Sequence, residues 1–384
     1  MNLVFISTDK YPDQHAAAIR HSTAGKGFTG LGHKVWFYLL SPQDWESSEI
    51  EYNGVFYKTL NDYRGSNKIL KAINFFYSLL ILRKNISELH HHSTLNGIVV
   101  FTIDNLVIYN TLKISKKLGI KIFHERTELP YVFQRKNSLI GKIKYNYYLK
   151  RLVPKFDGLF VITNKLKDFF TPFNKNVIKV NIMVDTDFFS VKSDSFYDFR
   201  YIAYCGTMQG DKDGVNILIK AFAKLLKNFP DYKLLLIGKS SNKEAIKDIL
   251  IIIDELGIND KIVFTGFVPR EDMPGLLSNA ELLVVSKPDN EQNSGNFPIK
   301  VGEYLSTGVP VVLTKVGEIP MFINDGYSGF LALPGSVESF YSKMYNALAD
   351  YDSAAEVGLN GRILAKRVFD YKSQTKLMSE YILS

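Results

Sequence analysis

The chain has 384 residues, enough for two or three ordinary domains, and 46% of them are apolar, which allows well-formed hydrophobic cores. Charged residues make up 22% and aromatic residues 13%, which excludes a disordered tail or a low-complexity scaffold. A single cysteine, Cys205, excludes an internal disulfide and a cysteine-based zinc site. The first residues lack the features of a signal peptide, and the apolar runs are too short to cross a bilayer. We therefore expect a soluble, cytoplasmic protein.

The net charge of +8 is unevenly distributed along the chain. Residues 1–185 contain 26 Lys or Arg and 14 Asp or Glu, a balance of +12, and the remainder contain 21 and 25, a balance of −4. This asymmetry predicts two domains with different partners. The basic half suits an anionic substrate or an anionic membrane, although lysines that only solvate a surface would give the same count. No recognised nucleic-acid-binding module accompanies the charge, so we expect no nucleic-acid partner.

Short apolar segments alternate with amphipathic ones throughout, which predicts parallel sheets covered by helices on both faces. In the first half we expect strands at 3–7, 35–40, 97–102, 120–124 and 158–163, and helices near 18–31, 66–89 and 106–118. In the second half we expect strands at 201–205, 233–237, 261–264, 281–285 and 310–313, and helices near 215–228, 243–256, 273–279 and 298–306.

Two such series predict the α/β fold class, with two doubly wound, Rossmann-like domains that face each other across a cleft. We place the domains at 1–188 and 189–366, and we expect a C-terminal helix at about 367–384 to pack back on the first. Open parallel sheets bind ligands beyond the carboxyl ends of their strands, so we expect the site in the cleft.

The loop after the strand at 201–205 contains glycines at 206, 210 and 214, which permit tight turns and a close backbone approach to a ligand. The following helix presents its N-terminus to this loop, an arrangement that suits a phosphate, with Lys212 as a point charge. The spacing matches neither the dinucleotide fingerprint nor the P-loop, and a surface turn would look similar.

A second segment, residues 294–312, combines a loop with a helix that starts near Pro298 and ends near Gly308. The loop presents backbone donors at the positive end of this helix. Glu303 can accept hydrogen bonds from two vicinal hydroxyls, and Lys300 can reach a phosphate. An exposed Lys–Glu pair at i,i+3, which contributes only about 0.2–0.5 kcal/mol, is the alternative.

The block Phe297-Pro298-x-Lys300-x-x-Glu303-Tyr304-Leu305-x-x-Gly308-x-Pro310 resembles the donor-site signature of the retaining glycosyltransferases of family four, which have the GT-B architecture. Four further segments resemble the same family in order and spacing, at 30–35, 184–189, 206–222 and 264–268. The resemblance covers nearly the whole chain.

The resemblance implies transfer of a glycosyl unit from a nucleotide sugar, held by the C-terminal domain, to a glycan or lipid-linked acceptor, held by the N-terminal one. It implies retention of anomeric configuration, no metal or other cofactor, and a role in polysaccharide or glycoconjugate biosynthesis. The donor contacts that it implies are Gly206, Thr207, Lys212, Gly238, Gly295, Asn296, Phe297, Pro298, Lys300 and Glu303. The acceptor contacts are Ala16 and Arg126.

Several positions depart from the family pattern. The first of the family's paired glutamates falls on Gly295, and its Arg and Lys in the first C-terminal loop fall on Thr207 and Asp213. The glycine pair near the donor phosphates is replaced within residues 15–18. A non-catalytic nucleotide-sugar-binding subunit is therefore the alternative to an enzyme. A GT-B epimerase or phosphorylase is less favoured, because those families have other signatures.

A strand that runs directly into His124, Glu125 and Arg126 places titratable groups at a sheet edge. The family often has a histidine there that touches the donor sugar, so we predict catalytic roles for His124 and Glu125, together with Lys300 and Glu303. Arg126 can instead hold an acceptor phosphate, and a solvated turn with local ion pairs is the alternative for the whole cluster.

Residues 137–155 are basic with interspersed apolar and aromatic residues. Either one face lies on an anionic membrane, or the helix packs on the core with a cationic outer face. His90, His91 and His92 resemble a metal tract, but three adjacent histidines do not easily converge on one ion, so we expect a solvated loop and no metal site.

Overall fold

The structure is a computed structural model that describes residues 1–11, 16–45, 48–130, 138–191, 194–209, 213–240 and 242–384. The chain forms two compact units: unit 1 comprises Met1–Met183 and Tyr371–Ser384, and unit 2 comprises Val184–Asp370. The sequence predicted a division a few residues later, after residue 188, and a C-terminal helix at about 367–384 that packs back on the first domain.

Unit 1 is built on an eight-stranded sheet with the strand order β3-β4-β2-β1-β5-β6-β7-β8. The strands β1 to β8 are Asn2–Ser7, Lys34–Leu39, Glu49–Tyr52, Val55–Thr59, Gly97–Val100, Lys121–Arg126, Gly158–Val161 and Val177–Lys179. All neighbours are parallel except β3, which pairs antiparallel with β4. The central strands are apolar on both faces because helices cover both.

The sequence analysis identified five of these strands and missed β3, β4 and β8. The hairpin of β3 and β4 turns at Asn53 and Gly54, both with positive φ, which is the backbone of a two-residue hairpin turn. Asn-Gly between two β-rich segments is a strong hairpin signal in a sequence, so this hairpin was predictable.

Five helices of unit 1 follow in chain order: α1 to α5 are Ala16–Gly30, Lys68–Ser93, Asn105–Leu118, Leu139–Tyr147 and Asn164–Phe170. A π-helical turn, Tyr148–Leu152, and a 3-10 turn, Val153–Lys155, continue α4. The C-terminal helix, Tyr371–Leu383, packs against α1, where a Cβ on Gly27 would lie 2.5 Å from Thr375.

Unit 2 has a six-stranded parallel sheet with the order β11-β10-β9-β12-β13-β14. The strands β9 to β14 are Tyr201–Cys205, Lys233–Ile237, Ile262–Gly266, Leu282–Val285, Val311–Thr314 and Phe330–Ala332. The helices α6 to α14 are Thr186–Phe189, Val215–Leu225, Lys243–Glu255, Met273–Ser278, Glu291–Ser294, Ile299–Thr307, Ile319–Phe322, Val337–Ala349 and Tyr351–Val368. Five of the six strands match the sequence prediction, which missed only the three-residue β14.

The core of unit 2 follows from the helical spacing of its apolar residues. Along α7 the buried residues recur at three- and four-residue intervals: Val215, Leu218, Ile219, Phe222 and Leu225. This face packs on the apolar strands of the sheet. The sheet and its helices thereby fix the positions of the loops that leave the carboxyl ends of the strands.

Candidate functional site

The strand order of unit 2 reverses between β9 and β12, because β10 and β11 lie beyond β9 and β13 and β14 lie beyond β12. The connections after β9 and β12 therefore diverge and leave a crevice at the carboxyl ends of the strands. Open parallel sheets bind their ligands at this topological switch point. The predicted donor residues follow β9, β10 or β12 or lie on α11, so the fold brings these segments to one edge of the sheet.

Two glycines allow the ends of β9 and β10 to meet. The Gly206 N–H donates to the Ile237 carbonyl at 2.9 Å, and Gly238 has φ +124°. A Cβ on Gly238 would lie 2.3 Å from the Gly206 carbonyl oxygen, and a Cβ on Gly206 would lie 2.6 Å from Lys300 Nζ. Position 238 therefore requires glycine, because a Cβ there would meet backbone, whereas a Cβ at position 206 would meet only the ends of side chains. The Lys300 ammonium lies directly against the loop that follows β9.

The loop after β9 is organised around the carboxylate of Asp213, which is buried. Its Oδ2 accepts hydrogen bonds from Thr207 Oγ1 and from the Gln209 N–H, both at 3.0 Å. Its Oδ1 lies 3.5 Å from the ammonium of Lys287, which follows β12 and is buried as well. Burial alone would raise the pKa of Asp213, but Lys300, Lys287 and the two hydrogen bonds hold that pKa below its ordinary value. Thr207, predicted to contact a ligand, donates its hydroxyl hydrogen to Asp213.

The helix α11 begins at Ile299, and no side chain caps its N-terminus. Such an end carries unpaired N–H groups and a partial positive charge, which together attract an anion. Lys300, in its first turn, places its ammonium 4.6 Å from the centre of the Tyr204 ring. Two positive features therefore meet where the β9 loop approaches α11.

Glu303 lies one turn further along α11 and is paired with Arg270, which follows β11. The Arg270 Nη1 lies 3.2 Å from Glu303 Oε1, and the two side chains are 19% and 11% exposed. The guanidinium also lies 5.4 Å from the ring centres of both Phe188 and Phe189. Glu303 is buried, and Arg270 is the cation that holds its carboxylate.

The loop before α11 is anchored by Phe297, whose ring packs against Phe322 at 5.4 Å and Phe369 at 5.3 Å. Phe297 is buried, so its side chain holds the loop and only its backbone is available to a ligand. The turn at Gly317 packs against the backbone of this loop, because a Cβ on Gly317 would lie 3.0 Å from the Asn293 carbonyl oxygen.

In unit 1 the predicted catalytic residue His124 is completely buried. Its Nδ1 lies 2.7 Å from the Val100 carbonyl oxygen and its Nε2 lies 2.8 Å from Tyr148 Oη. Burial, aided by the charge of Arg126, lowers the pKa of His124 to about 3. His124 is thus a neutral, buried residue whose two ring nitrogens both contact partners within unit 1, and its contact with a substrate stays a prediction.

Glu125, the second residue predicted to be catalytic at this strand end, is also buried by protein partners. Arg20 holds its Oε1 through Nε at 2.8 Å and Nη2 at 2.7 Å, and His21 Nε2 lies 3.4 Å from its Oε2. Tyr11 Oη lies 2.6 Å from the other nitrogen of His21. The carboxylate of Glu125 therefore links α1 to the sheet and has no exposed surface, and its catalytic role stays a prediction.

The two predicted acceptor contacts differ in their surroundings. Arg126 ends β6, donates from Nη2 to the Glu128 carbonyl at 3.0 Å, and has a buried Nε with no hydrogen-bond partner. Ala16 begins α1 and is exposed, next to residues 12–15, which lie outside the described residues. Lys212 also lies outside them.

The histidine tract and the basic segment both prove to be helical. His90, His91 and His92 occupy the last turn of α2 and not a loop, and among the described residues no group of side chains could hold a metal ion. The first residue of the basic segment, Asn137, lies outside the described residues. The helix α4 has no buried residue. The π-helical turn that follows it is anchored by three buried side chains, those of Tyr148, Leu149 and Leu152.

Residues 199–350 match the sequence model of a protein family described as "Glycosyl transferases group 1". This range covers most of unit 2 and includes all the predicted donor segments. Residues 199–350 therefore have the sequence of a group 1 glycosyltransferase domain. A GDP-mannose-dependent alpha-(1-6)-phosphatidylinositol monomannoside mannosyltransferase of Mycolicibacterium smegmatis is 25% identical over 211 residues, which cover 52% of this chain and 54% of the relative. A D-inositol 3-phosphate glycosyltransferase of Mycobacterium sp. (strain KMS) is 32% identical over 132 residues, 34% of this chain and 28% of the relative. The chain thus matches about half or less of the length of these curated relatives.

Solved structures show that this chain has the GT-B fold, as the sequence predicted. Sucrose-phosphate synthase from Thermosynechococcus elongatus superposes with a TM-score of 0.75 at 16% identity, covering 99% of this chain and 97% of the other. Anabaena HepE in complex with UDP and glucose gives a TM-score of 0.75 at 16% identity, covering 100% and 99%. Among the described residues, no helix combines the length and the hydrophobicity needed to cross a membrane.

Sequence reasoning missed two basic residues of the unit 2 crevice, Arg270 and Lys287. Each follows a strand at the carboxyl edge of the sheet, and that position is the signal by which either could have been found. The partners of Glu125 were not predictable in the same way, because Arg20 lies on a helix more than 100 residues away in the sequence.

Proposed function

We propose that this chain is a group 1 glycosyltransferase that transfers a sugar from a nucleotide-sugar donor to a glycan or lipid-linked acceptor, in polysaccharide or glycoconjugate biosynthesis. The observation that carries the proposal is the convergence of Lys300, Glu303 and the uncapped start of α11 at the switch point of the family-matched unit. The location that we propose is the cytoplasm, at the inner face of the cell membrane.

The roles that we assign follow from the chemistry of each group. The carboxylate of Glu303, held in place by Arg270, accepts hydrogen bonds from the vicinal hydroxyls of the ribose. The N-terminus of α11 and the Lys300 ammonium bind the diphosphate and stabilise the negative charge that grows on it as it departs. These positive groups stabilise the charge of the diphosphate, which is the role that a divalent cation has in other enzymes. We therefore propose a reaction without a metal.

The transfer that we propose retains the anomeric configuration. The acceptor oxygen forms a bond to the anomeric carbon while the bond from that carbon to the diphosphate oxygen breaks, on the same face of the sugar. The departing phosphate oxygen takes the proton of the acceptor hydroxyl. No side chain is needed as the base, which agrees with the burial of His124 and Glu125 within unit 1.

The names of the related proteins support this donor class. One relative is a GDP-mannose-dependent mannosyltransferase, and Anabaena HepE was solved with UDP and glucose. Both name a nucleoside diphosphate, which is the anion that the start of α11 and Lys300 suit. We therefore propose UDP-sugars and GDP-sugars as the donors to test first.

The substitution Glu303→Gln tests the proposal, because glutamine keeps the shape and an oxygen that accepts from Arg270 but loses the charge. Hydrogen bonds to a charged group contribute about 1.5–3 kcal/mol, so we expect donor affinity, measured by calorimetry, to fall roughly 10- to 150-fold. Glu356→Gln, on the exposed surface of α14, is the matched control and should bind as the wild type does. Normal affinity and turnover in Glu303→Gln would contradict the proposal.

A non-catalytic nucleotide-sugar-binding subunit is the second candidate, and one observation favours it. The buried Asp213 neutralises Lys287, so one of the cations near the switch point is already paired. A purified chain that binds a nucleotide sugar but neither transfers nor hydrolyses it, over a broad panel of acceptors, would favour this alternative.

A further inference from the structure

The outer surface of three helices of unit 1 is apolar and exposed. On α2 the exposed fractions are 72% for Ile69, 56% for Ile73, 56% for Phe76 and 60% for Leu80. The other large exposed apolar residues are Leu70 and Tyr77 on α2, Leu106 and Tyr109 on α3, and Leu139, Ile140, Ile143 and Tyr147 on α4. Large apolar patches on a protein surface mark sites of interaction.

The three helices lie on the same face of the unit 1 sheet. Each connects a strand to a parallel strand further toward β8, and such crossovers are right-handed, which places all three on one side. α2 packs against α3, and the Asn105 side chain at the start of α3 donates to the Lys144 carbonyl of α4 at 3.0 Å. The exposed residues therefore belong to one surface, which we call the α2–α4 surface.

The sequence of α2 is apolar on two sides. Leu79, Leu82 and Ile86 are buried against unit 1, whereas residues 69, 73, 76 and 80 recur at three- and four-residue spacing along an exposed side. A helix on a solvated surface carries polar residues on its outer side, so this composition indicates that something apolar covers the helix.

The charge on this surface is almost entirely positive. Residues 68–93, 105–118 and 139–155 contain twelve Lys or Arg and a single carboxylate, Glu88. Lys68, Lys71, Lys113, Lys142 and Lys144 are all exposed among the apolar residues. A second copy of the chain would present the same positive charge and be repelled, whereas anionic headgroups above hydrocarbon match both the lysines and the apolar side chains.

We propose that the α2–α4 surface docks on an anionic lipid bilayer, with the exposed side of α2 inserted at the headgroup boundary. The sequence predicted a membrane contact through residues 137–155 alone. In the surface that we propose, α2 supplies most of the apolar side chains. The contact that we propose is peripheral. This proposal stands apart from the donor chemistry of unit 2.

The test is flotation of the full chain with vesicles of phosphatidylcholine alone and of phosphatidylcholine mixed with phosphatidylglycerol, at low and high salt. The apolar variant combines Ile73→Glu with Phe76→Glu, and its control combines Leu359→Glu with Ile363→Glu, which are 55% and 65% exposed on α14. The charge variant combines Lys142→Glu with Lys144→Glu, and its control combines Lys243→Glu with Lys247→Glu on α8.

We expect the wild type to float with the phosphatidylglycerol vesicles and to bind less at high salt. Each basic residue near an anionic surface contributes enough that reversing two should weaken partitioning by about tenfold or more. The apolar variant should lose binding at any salt concentration, and both controls should bind like the wild type.

Failure of the folded wild type to bind phosphatidylglycerol vesicles would overturn the proposal, and so would equal loss of binding in the controls. Circular dichroism and nucleotide binding of the same variants establish that they are folded. Because nucleotide binding needs no vesicles, a chain that binds nucleotide but not lipid refutes the docking alone, and the reverse result refutes the donor assignment alone.

Discussion

The buried ion pair between Asp213 and Lys287 should stabilise unit 2, and Asp213→Asn is the substitution that tests it. At 3.5 Å and an effective dielectric constant of about 20, the gross attraction is about 5 kcal/mol, most of which offsets the desolvation of two side chains that are 5% and 7% exposed. Asparagine keeps an oxygen for the bonds from Thr207 and Gln209 but leaves Lys287 buried without its counter-charge. We expect a loss of about 3 kcal/mol.

A double-mutant cycle isolates the pair. Lys287→Met should also cost about 3 kcal/mol, whereas the double variant should cost much less than the sum, with a coupling of about 2 kcal/mol. Hydrogen exchange of peptides from α7 and β12 measures the stability of unit 2 directly. The tryptophans, Trp36 and Trp45, both lie in unit 1, so their fluorescence should not change.

The exposed pair of Lys224 and Glu338 is the control, since both side chains are about half exposed or more, and Glu338→Gln should cost less than about 1 kcal/mol. Additive effects of Asp213→Asn and Lys287→Met, or losses no larger than that of Glu338→Gln, would refute the reasoning.

Three further predictions concern the fold around the sites. Arg20→Met removes the partner of a buried carboxylate and should destabilise unit 1 by about 3–5 kcal/mol, seen in urea unfolding followed by tryptophan emission; an unchanged midpoint would contradict this role. The pKa of His124 is about 3 when folded and about 6.5 when unfolded, so acid favours the unfolded state and unit 1 should lose about 2 kcal/mol between pH 7 and pH 5. His124→Gln should abolish that dependence, and an unchanged pH profile would refute it. Gly238→Ala should lower the free energy of unfolding of unit 2 by at least about 2 kcal/mol more than Gly257→Ala does. Both glycines have positive φ, but only a Cβ at position 238 would clash with backbone. Equal losses of stability in the two variants, measured by hydrogen exchange, would contradict the clash.

The sequence predicted the fold well because strand and helix periodicities are local. The strands β9 and β10 have the bounds that were predicted for them, 201–205 and 233–237, and the GT-B architecture followed from the order of the motifs. What the sequence did not resolve were short edge elements such as β8 and β14, whose three residues carry too little pattern.

The positions of the site segments were predicted better than the roles of their side chains. That Lys300 and Glu303 would lie at the edge of the unit 2 sheet followed from the turn chemistry and the family resemblance. The burial of His124 did not, because it depends on Tyr148 and Val100, which only the folded chain brings to its two ring nitrogens. Titratable residues that end a strand can be core residues as readily as catalytic ones, and burial distinguishes them.

The most direct test of the account is hydrogen exchange of the wild type with UDP-glucose and GDP-mannose, with magnesium and with a chelator. A ligand at about 100 times its dissociation constant adds about 2.7 kcal/mol of stability. The account predicts stabilisation of unit 2 by one of these nucleotide sugars without metal, with protection concentrated in residues 206–209 and 286–303. No protection by any nucleotide sugar, or protection only with magnesium, would contradict it.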